Sequence, residues 1–489
     1  MIKRRSPENQ KILFVVVFSV LVQIVVALMP DTMGDLISYR DWTRALVSEG
    51  FVHAYLDSST LQNRGTSIIY PPVIPILYWA TGHSLAFFNE TLLTNRYFLE
   101  VFLKIVSVIF NLLILWILWL EYGKESDRTV VLALMIGYGL NPAIIFNTSY
   151  WGQTDSISSF FVLAALYVQK KYGRAEISAA LAAAAVMTKP TVWPIALLIG
   201  VAILKSNGIR KLATAIAAAS LVFLLLLLPF LLSGRFSDAI EALIVQIDAS
   251  PYVSANAHNF WWIIQGGLPM INANANLIGP LSYKEAGILL SGSFIAVTIW
   301  KFWQSRLPEA LYLAAASIAF GFFMLSTHMH ENHWFMLFPI FAMIAFQKPL
   351  FRKLFYLLSV VFFMNLLLHD PYLNALFRDF IPGPVMDLHY QQADSPIAKT
   401  FEEEGKGYVL QERAGRITIV GYFLTLLNAQ AAVLLFFIWL IFFYKKRSFD
   451  SVFETKSFAP LHLLRSAVVI LIFITLTSVE FMMKASRFL

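Results

Sequence analysis

A few polar runs interrupt this apolar chain, and each carries a group able to move a proton, hold an anion or grip a sugar. Asp35 opens the run Gly34-Asp35-Leu36-Ile37-Ser38-Tyr39-Arg40-Asp41-Trp42, in which Tyr39, Trp42 and Leu46 recur at helical spacing. A carboxylate there can serve as a general base, or it can cap the helix by accepting backbone N–H bonds near Ser38. Lys189, in Met187-Thr188-Lys189-Pro190, breaks the apolar stretch from Ala182 to Leu198. A charge at membrane level is costly, so Lys189 either faces a polar cavity, where it can neutralise an anion, or snorkels to the surface from a helix end.

The run Thr327-His328-Met329-His330-Glu331-Asn332-His333-Trp334 gathers three His and a Glu. The HExxH zinc spacing needs its second His one position later. On a helix, His330 and His333 would share a face that His328 does not, so phosphate binding or hydrogen bonding ranks above a metal. Satisfied interfacial histidines are the plain alternative. Asn147-Thr148-Ser149-Tyr150-Trp151-Gly152-Gln153-Thr154-Asp155-Ser156 offers Gln153 and Asp155 as polar contacts, with Asp155 equally readable as a helix cap. Asn256-Ala257-His258-Asn259-Phe260-Trp261-Trp262 supplies amides and indoles that hydrogen-bond to and stack on sugars, or that belong to an aromatic belt. Tyr70-Pro71-Pro72 opens a proline-punctuated apolar segment to Phe88, short enough to be interfacial or re-entrant. Glu100 and Lys104, one turn apart, stand in the order that stabilises a helix as an ion pair.

The elements that must position these groups belong to a membrane protein. Of 489 residues, 58% are apolar and only 14% charged, and mean hydropathy is +0.67, where a soluble surface needs about a quarter of its residues charged. Apolar runs long enough to cross a bilayer suggest an all-α polytopic fold of about thirteen transmembrane helices, from 12–30 to 462–482, with interfacial helices in the first outer loop. The first run ends at Met29-Pro30-Asp31 without a small-residue cleavage site and reads as an uncleaved anchor. With the N-terminus inside, the short inner connections hold more than half of the 37 Lys and Arg, as the positive-inside rule requires. The pI near 9.3 then reports topology, and no nucleic-acid partner is expected. Loops 31–96, 233–283 and 369–415, the ends at 148–155 and 188–190 and the junction at 327–332 all fall outside, so any chemistry is extracytoplasmic. The chain has no Cys, which excludes thiolate chemistry, and it shows neither a fixed-period repeat nor a Gly-rich phosphate loop.

In their order and common side, these motifs resemble the glycosyltransferase C superfamily, polytopic enzymes that move a sugar from a polyprenyl phosphate on the outer or lumenal face. The run from Gly34 to Trp42 is similar to the first-loop motif of the dolichol-linked oligosaccharide glucosyltransferases, where an acidic residue is catalytic. Tyr70-Pro71-Pro72, Lys189 and His330-Glu331 match further motifs of that family. Trp151-Gly152-Gln153-Thr154-Asp155-Ser156 and Asn259 to Trp262 resemble prokaryotic relatives of the GPI-anchor mannosyltransferases. The resemblance covers about residues 30 to 340. It implies a catalytic transmembrane module over 1–350 and C-terminal helices over 351–489 that carry the 369–415 loop.

The resemblance implies an inverting hexosyltransferase, with mannose or glucose moved from a polyprenyl-phosphate or dolichol-phosphate donor to a glycan, lipid or protein acceptor. Asp35 would be the base, and Lys189, His330 and Glu331 would hold the donor phosphate. Gln153, Asp155, Asn259, Trp261 and Tyr70 would contact sugar or acceptor. The scheme calls for no cofactor or metal, though Asp31 with Asp35 could hold one. The site would face outward from the plasma membrane of a prokaryote or into the lumen of the endoplasmic reticulum. Nucleotide sugars are cytoplasmic, so an outward-facing transferase needs a donor that arrives in the membrane. Two other classes compete: a transporter or flippase of lipid-linked sugars, which usually shows paired halves with broken midplane helices, and a polymerase or ligase of lipid-linked glycans.

Overall fold

The computed structural model describes residues 7–30, 34–56, 68, 70–123, 126–237, 239–240, 252–267, 271–370, 385–388 and 415–454. Asp31, the expected last span at 462–482 and most of the 369–415 loop lie outside these residues. Helices dominate what is described, as an apolar chain requires where every backbone polar group must be satisfied within the bilayer. Among the described residues seven helices are long and apolar enough to cross a membrane, and eight if the bent pair Arg128–Gly139 and Pro142–Tyr150 counts as one span. The protein is therefore an all-α, multi-pass membrane protein, and the count of thirteen is not reached by this measure among the described residues. Some apolar runs form helices too short for the role. Ala175–Val186 and Ala310–Leu325 have 12 and 16 residues, or about 18 and 24 Å against a hydrocarbon core of about 30 Å.

The chain divides into two compact units, 1–250 with 311–319 and 332–366, and 251–310 with 320–331 and 367–489. In the first, Arg96–Tyr122 runs 27 residues from an Asn95 cap that accepts from the Phe98 amide. Its Asn111 donates to Gln23 Oε1 at 2.8 Å and accepts from Tyr138 OH at 3.0 Å, while Gln23 donates to Ser19 Oγ at 3.1 Å. This buried polar chain ties three helices together, each bond contributing about 0.6–2 kcal/mol in apolar surroundings. The bent pair breaks at Asn141-Pro142, by 41°. There the Asn141 side chain accepts from the Ala143 amide, because Pro142 cannot continue the first helix's ladder. Its second limb ends in a π-helical turn, Phe146–Tyr150.

The first loop is helical where it is described. Gly34–Ser48 buries Leu36, Tyr39, Trp42, Ala45 and Leu46, the face that the sequence spacing marks. Val73–Phe88 packs on it at close range: a Cβ on Gly82 would sit 2.6 Å from Val47 Cγ2 and 2.8 Å from Thr43 Cγ2. At 16 residues this helix is shorter than a span, in keeping with the interfacial or re-entrant expectation for the segment.

In the second unit, Tyr283–Gln304 starts from a complete capping box of Ser282 and Glu285. A parallel pair joins Ser254–Ala255 to Met329–His330, with Ala255 opposite His330. Non-glycine residues in the left-handed region flank it, Asn256 at φ 63° and His328 at φ 64°. An antiparallel ladder sets Val385–Leu388, within the long loop, against Gly415–Thr418 at its end.

Candidate functional site

Segments far apart in the first unit's sequence deliver side chains to one hydrogen-bonded network. Asp35 lies within the first turn of Gly34–Ser48 rather than ahead of it, and it is exposed. Its Oδ2 accepts from Gln153 Nε2 at 2.7 Å. Gln153 Oε1 in turn accepts from Asn332 Nδ2 at 3.0 Å and from Tyr39 OH at 3.3 Å. The Asn332 amide is shared, because it also reaches Asp155 Oδ2 at 3.0 Å. Asp155 Oδ1 accepts from Lys189 Nζ at 2.7 Å, and Asn147 Nδ2 approaches Oδ2 at 3.4 Å. Lys189 Nζ stands 5.6 Å from the centre of the Tyr70 ring, and the Tyr70 and Tyr39 hydroxyls are 3.2 Å apart.

Local structure explains why these groups meet. The π turn at Phe146–Tyr150 is followed by Gly152 at φ +66°, which swings Gln153 back toward Asp35. Gly152 also lets the backbone press against its neighbours: a Cβ there would lie 2.8 Å from Lys104 Cγ and 3.3 Å from Leu36 Cδ1. Left-handed backbone costs a non-glycine about 1–2 kcal/mol, and the crowding adds to it. Gly152→Ala should therefore lower thermal stability in detergent, by about 1–3 kcal/mol. Melting unchanged from wild type would contradict this geometry.

The charges are unevenly buried. Lys189 is 4% exposed and Asp155 5%, so the ion pair is shielded from water while Asp35 is open. Burial pulls the Lys189 pKa down, but Asp155 beside it outweighs that, and the ammonium titrates above the ordinary lysine value. The network thus keeps a permanent cation. Burial likewise raises the Tyr39 and Tyr70 phenols, Tyr70 in spite of Lys189 alongside, so both remain O–H donors. Around the network, Trp42 Nε1, Tyr78 OH and Thr154 Oγ1 are buried polar atoms without a hydrogen-bond partner among the described residues. Trp42 meets the Tyr70 ring edge-on at 5.5 Å, and Tyr78 meets Tyr39 at 5.4 Å.

Five of the residues expected from sequence are brought together here: Asp35, Tyr70, Gln153, Asp155 and Lys189. Tyr39 and Asn332 join them and were not singled out. Tyr39 sits one turn after Asp35, a spacing that could have marked it. Asn332 is hidden in the histidine run. Lys189 does not snorkel, since its head is the buried end of an ion pair. The pair expected of Glu100 and Lys104 gives way to other partners: Glu100 accepts from Arg96, one turn before it, at 2.9 Å and from Arg40 at 3.2 Å, and Lys104 donates to the Met29 carbonyl at 2.9 Å.

The remaining nominated residues belong to the second unit. His330 lies in the parallel strand pair, and the buried Glu331 opens a 3-10 turn, Glu331–Met336. Asn259 accepts from the Trp262 amide as a helix cap and donates to the Phe323 carbonyl at 3.0 Å. Trp261 Nε1 donates to the Leu325 carbonyl at 2.7 Å. Both thus spend polar atoms on the backbone that leads into the histidine run. Among the described residues no group of three or more His, Asp or Glu could hold a metal ion. Compared with known protein families and with curated proteins, the chain matches none.

Proposed function

We propose that this protein is a membrane glycosyltransferase that moves a hexose from a polyprenyl-phosphate donor to an acceptor hydroxyl on the extracytoplasmic face, with inversion. The observation that carries the reading is an exposed carboxylate, Asp35, held through one oxygen by the Gln153 amide, whose other end is linked through Asn332 to a buried cation–anion pair. In this mechanism Asp35 takes the proton from the acceptor hydroxyl as that oxygen attacks the anomeric carbon. The bond to the donor phosphate breaks in the same displacement, through an oxocarbenium-like state. The phosphate leaves as an anion and needs positive charge rather than an acid. Lys189 supplies that charge. The unspent Trp42 Nε1, Tyr78 OH and Thr154 Oγ1 suit a hydroxyl-rich ligand, since buried polar atoms in native proteins are normally satisfied.

The test is discharge of a panel of polyprenyl-phosphate hexoses, mannose and glucose first, by the purified protein. Release of free polyprenyl phosphate with transfer of the sugar is expected. Movement of the intact lipid-linked sugar across a bilayer with no bond broken would favour a flippase. The proposed topology has the N-terminus inside and Asp35 outside. A cysteine at the exposed position Glu90 of this Cys-free chain should react with an impermeant thiol reagent in intact cells. One at Tyr172, 59% exposed, should react only after permeabilisation, and the opposite pattern would invert the orientation.

A further inference from the structure

The amide of Gln153 can be read in two orientations, and its neighbours decide between them. Side-chain amides carry a donor and an acceptor end of nearly equal shape, so the partners set the assignment. On one side of Gln153 stand Asn332 Nδ2 at 3.0 Å and Tyr39 OH at 3.3 Å. The Asn332 amide is itself oriented by Asp155 Oδ2 at 3.0 Å, a carboxylate that can only accept. Asn332 must therefore turn its NH2 toward both Asp155 and Gln153, and Gln153 must answer with its oxygen. That leaves Gln153 Nε2 facing Asp35 Oδ2 at 2.7 Å. Gln153 and Asn332 are 1% and 6% exposed, so water offers them little competition.

We propose that Asn332 and Gln153 form an amide relay that orients Asp35: the Asp155 charge fixes Asn332, Asn332 fixes Gln153, and Gln153 pins one oxygen of Asp35 so that the other faces the reacting hydroxyl. The proposal deepens the glycosyltransferase reading and rests on it for the word reacting, but the relay itself is independent of substrate. Both residues are positioning residues. They act on the proton acceptor through hydrogen bonds, and neither is assigned a contact with substrate. Gln153, expected from sequence to touch the sugar, has its amide oxygen and an N–H committed to the protein.

The test needs a readout that does not depend on turnover. Purified protein is treated with a water-soluble carbodiimide and an amine at fixed pH, and modification of Asp35 is followed by mass spectrometry of the peptide. Carbodiimide has to reach a carboxyl oxygen, and the Gln153 N–H covers Asp35 Oδ2 at 2.7 Å, so a variant that releases that oxygen opens it to the reagent. Gln153→Ala and Asn332→Ala should each speed labelling of Asp35, by about tenfold, the scale of one hydrogen bond to a charged group. In the Gln153→Ala background, Asn332→Ala should add nothing, because its path to Asp35 is already cut.

Gln153→Glu is the second variant, since it keeps the volume and can still accept from Asn332 and Tyr39 but sets a second carboxyl against Asp35. It should label Asp35 at least as fast as Gln153→Ala. Effects of the two alanine substitutions that multiply would remove Asn332 from the relay, and unchanged labelling in Gln153→Glu would remove Gln153. With a donor that is turned over, both alanine variants should lose kcat while KM for the donor holds. Coupled labelling without discharge of any donor would sink the glycosyltransferase reading and spare the relay. Discharge with uncoupled labelling would do the reverse.

Discussion

Sugar transfer by Asp35→Asn is expected to fall by roughly a hundred-fold to ten-thousand-fold, the usual loss when a general base is removed. The substitution is mild in every other respect. The new amide would keep an oxygen able to accept from Gln153 Nε2, which in the wild type lies 2.7 Å from Asp35 Oδ2. It also fits the first helical turn, where a short polar side chain is tolerated. What it loses is the capacity to take a proton, together with a negative charge that the helix N-terminus favours by about 0.3–1 kcal/mol. Folding, membrane insertion and melting should thus stay close to wild type while the rate collapses. The measurement is initial transfer from a defined polyprenyl-phosphate hexose by variants matched for thermal stability. Near-normal transfer by Asp35→Asn would remove this carboxylate from the mechanism. Loss in Asp31→Asn alone would move the base four residues upstream.

Some of this arrangement could be read from the amino acids because polar groups are conspicuous in apolar surroundings. Asp35, Lys189 and the Gln153–Asp155 run stand out for that reason, and the structure places them within one network. What could not be read is partnership. Lys189 and Asp155 lie 34 residues apart, with two helices along the chain from one to the other, and nothing local says that one neutralises the other. Their separate expected roles, phosphate for the lysine and sugar for the aspartate, overlook that each is the other's partner. Tyr39 escaped for the opposite reason. Its spacing with Trp42 and Leu46 marks a packing face, and it does pack, at 1% exposure, yet its hydroxyl belongs to the network.

The same limits hold at larger scale. Hydropathy finds apolar runs, but a run of a dozen residues reads alike whether it crosses lipid or ends inside protein. Ala175–Val186 is such a case, 12 residues followed by a break at Met187-Thr188. The break has a consequence for the site, since it is what delivers Lys189 to Asp155. Asn259 and Trp261 carry groups that suit sugars, and the carbonyls of Phe323 and Leu325 that they reach lie more than sixty positions away, beyond any local pattern.

Lys189→Ala is expected to be among the most destabilising single substitutions in the first unit, by about 3–5 kcal/mol, and for a reason separate from catalysis. Removing one partner of a buried ion pair leaves the other charge uncompensated, and Asp155, at 5% exposure, keeps among the described residues the neutral amides of Asn332 and Asn147 in place of the ammonium. A loss of transfer in this variant would therefore say little about phosphate binding. The informative variant is the double substitution Lys189→Met with Asp155→Asn, which removes both charges and leaves an amide oxygen to accept from Asn332. Paired neutral replacements at buried salt bridges are often neutral or stabilising, so melting in detergent should return to near the wild-type temperature. Transfer should not return with it. A missing cation at the leaving phosphate should cost roughly 2–4 kcal/mol of transition-state stabilisation, by analogy with the loss of one oxyanion donor. A double variant that is both stable and fully active would make the pair structural and place the phosphate-binding charge elsewhere. If instead the double variant melts as low as Lys189→Ala, the instability comes from lost packing around the lysine stem and not from an orphaned carboxylate.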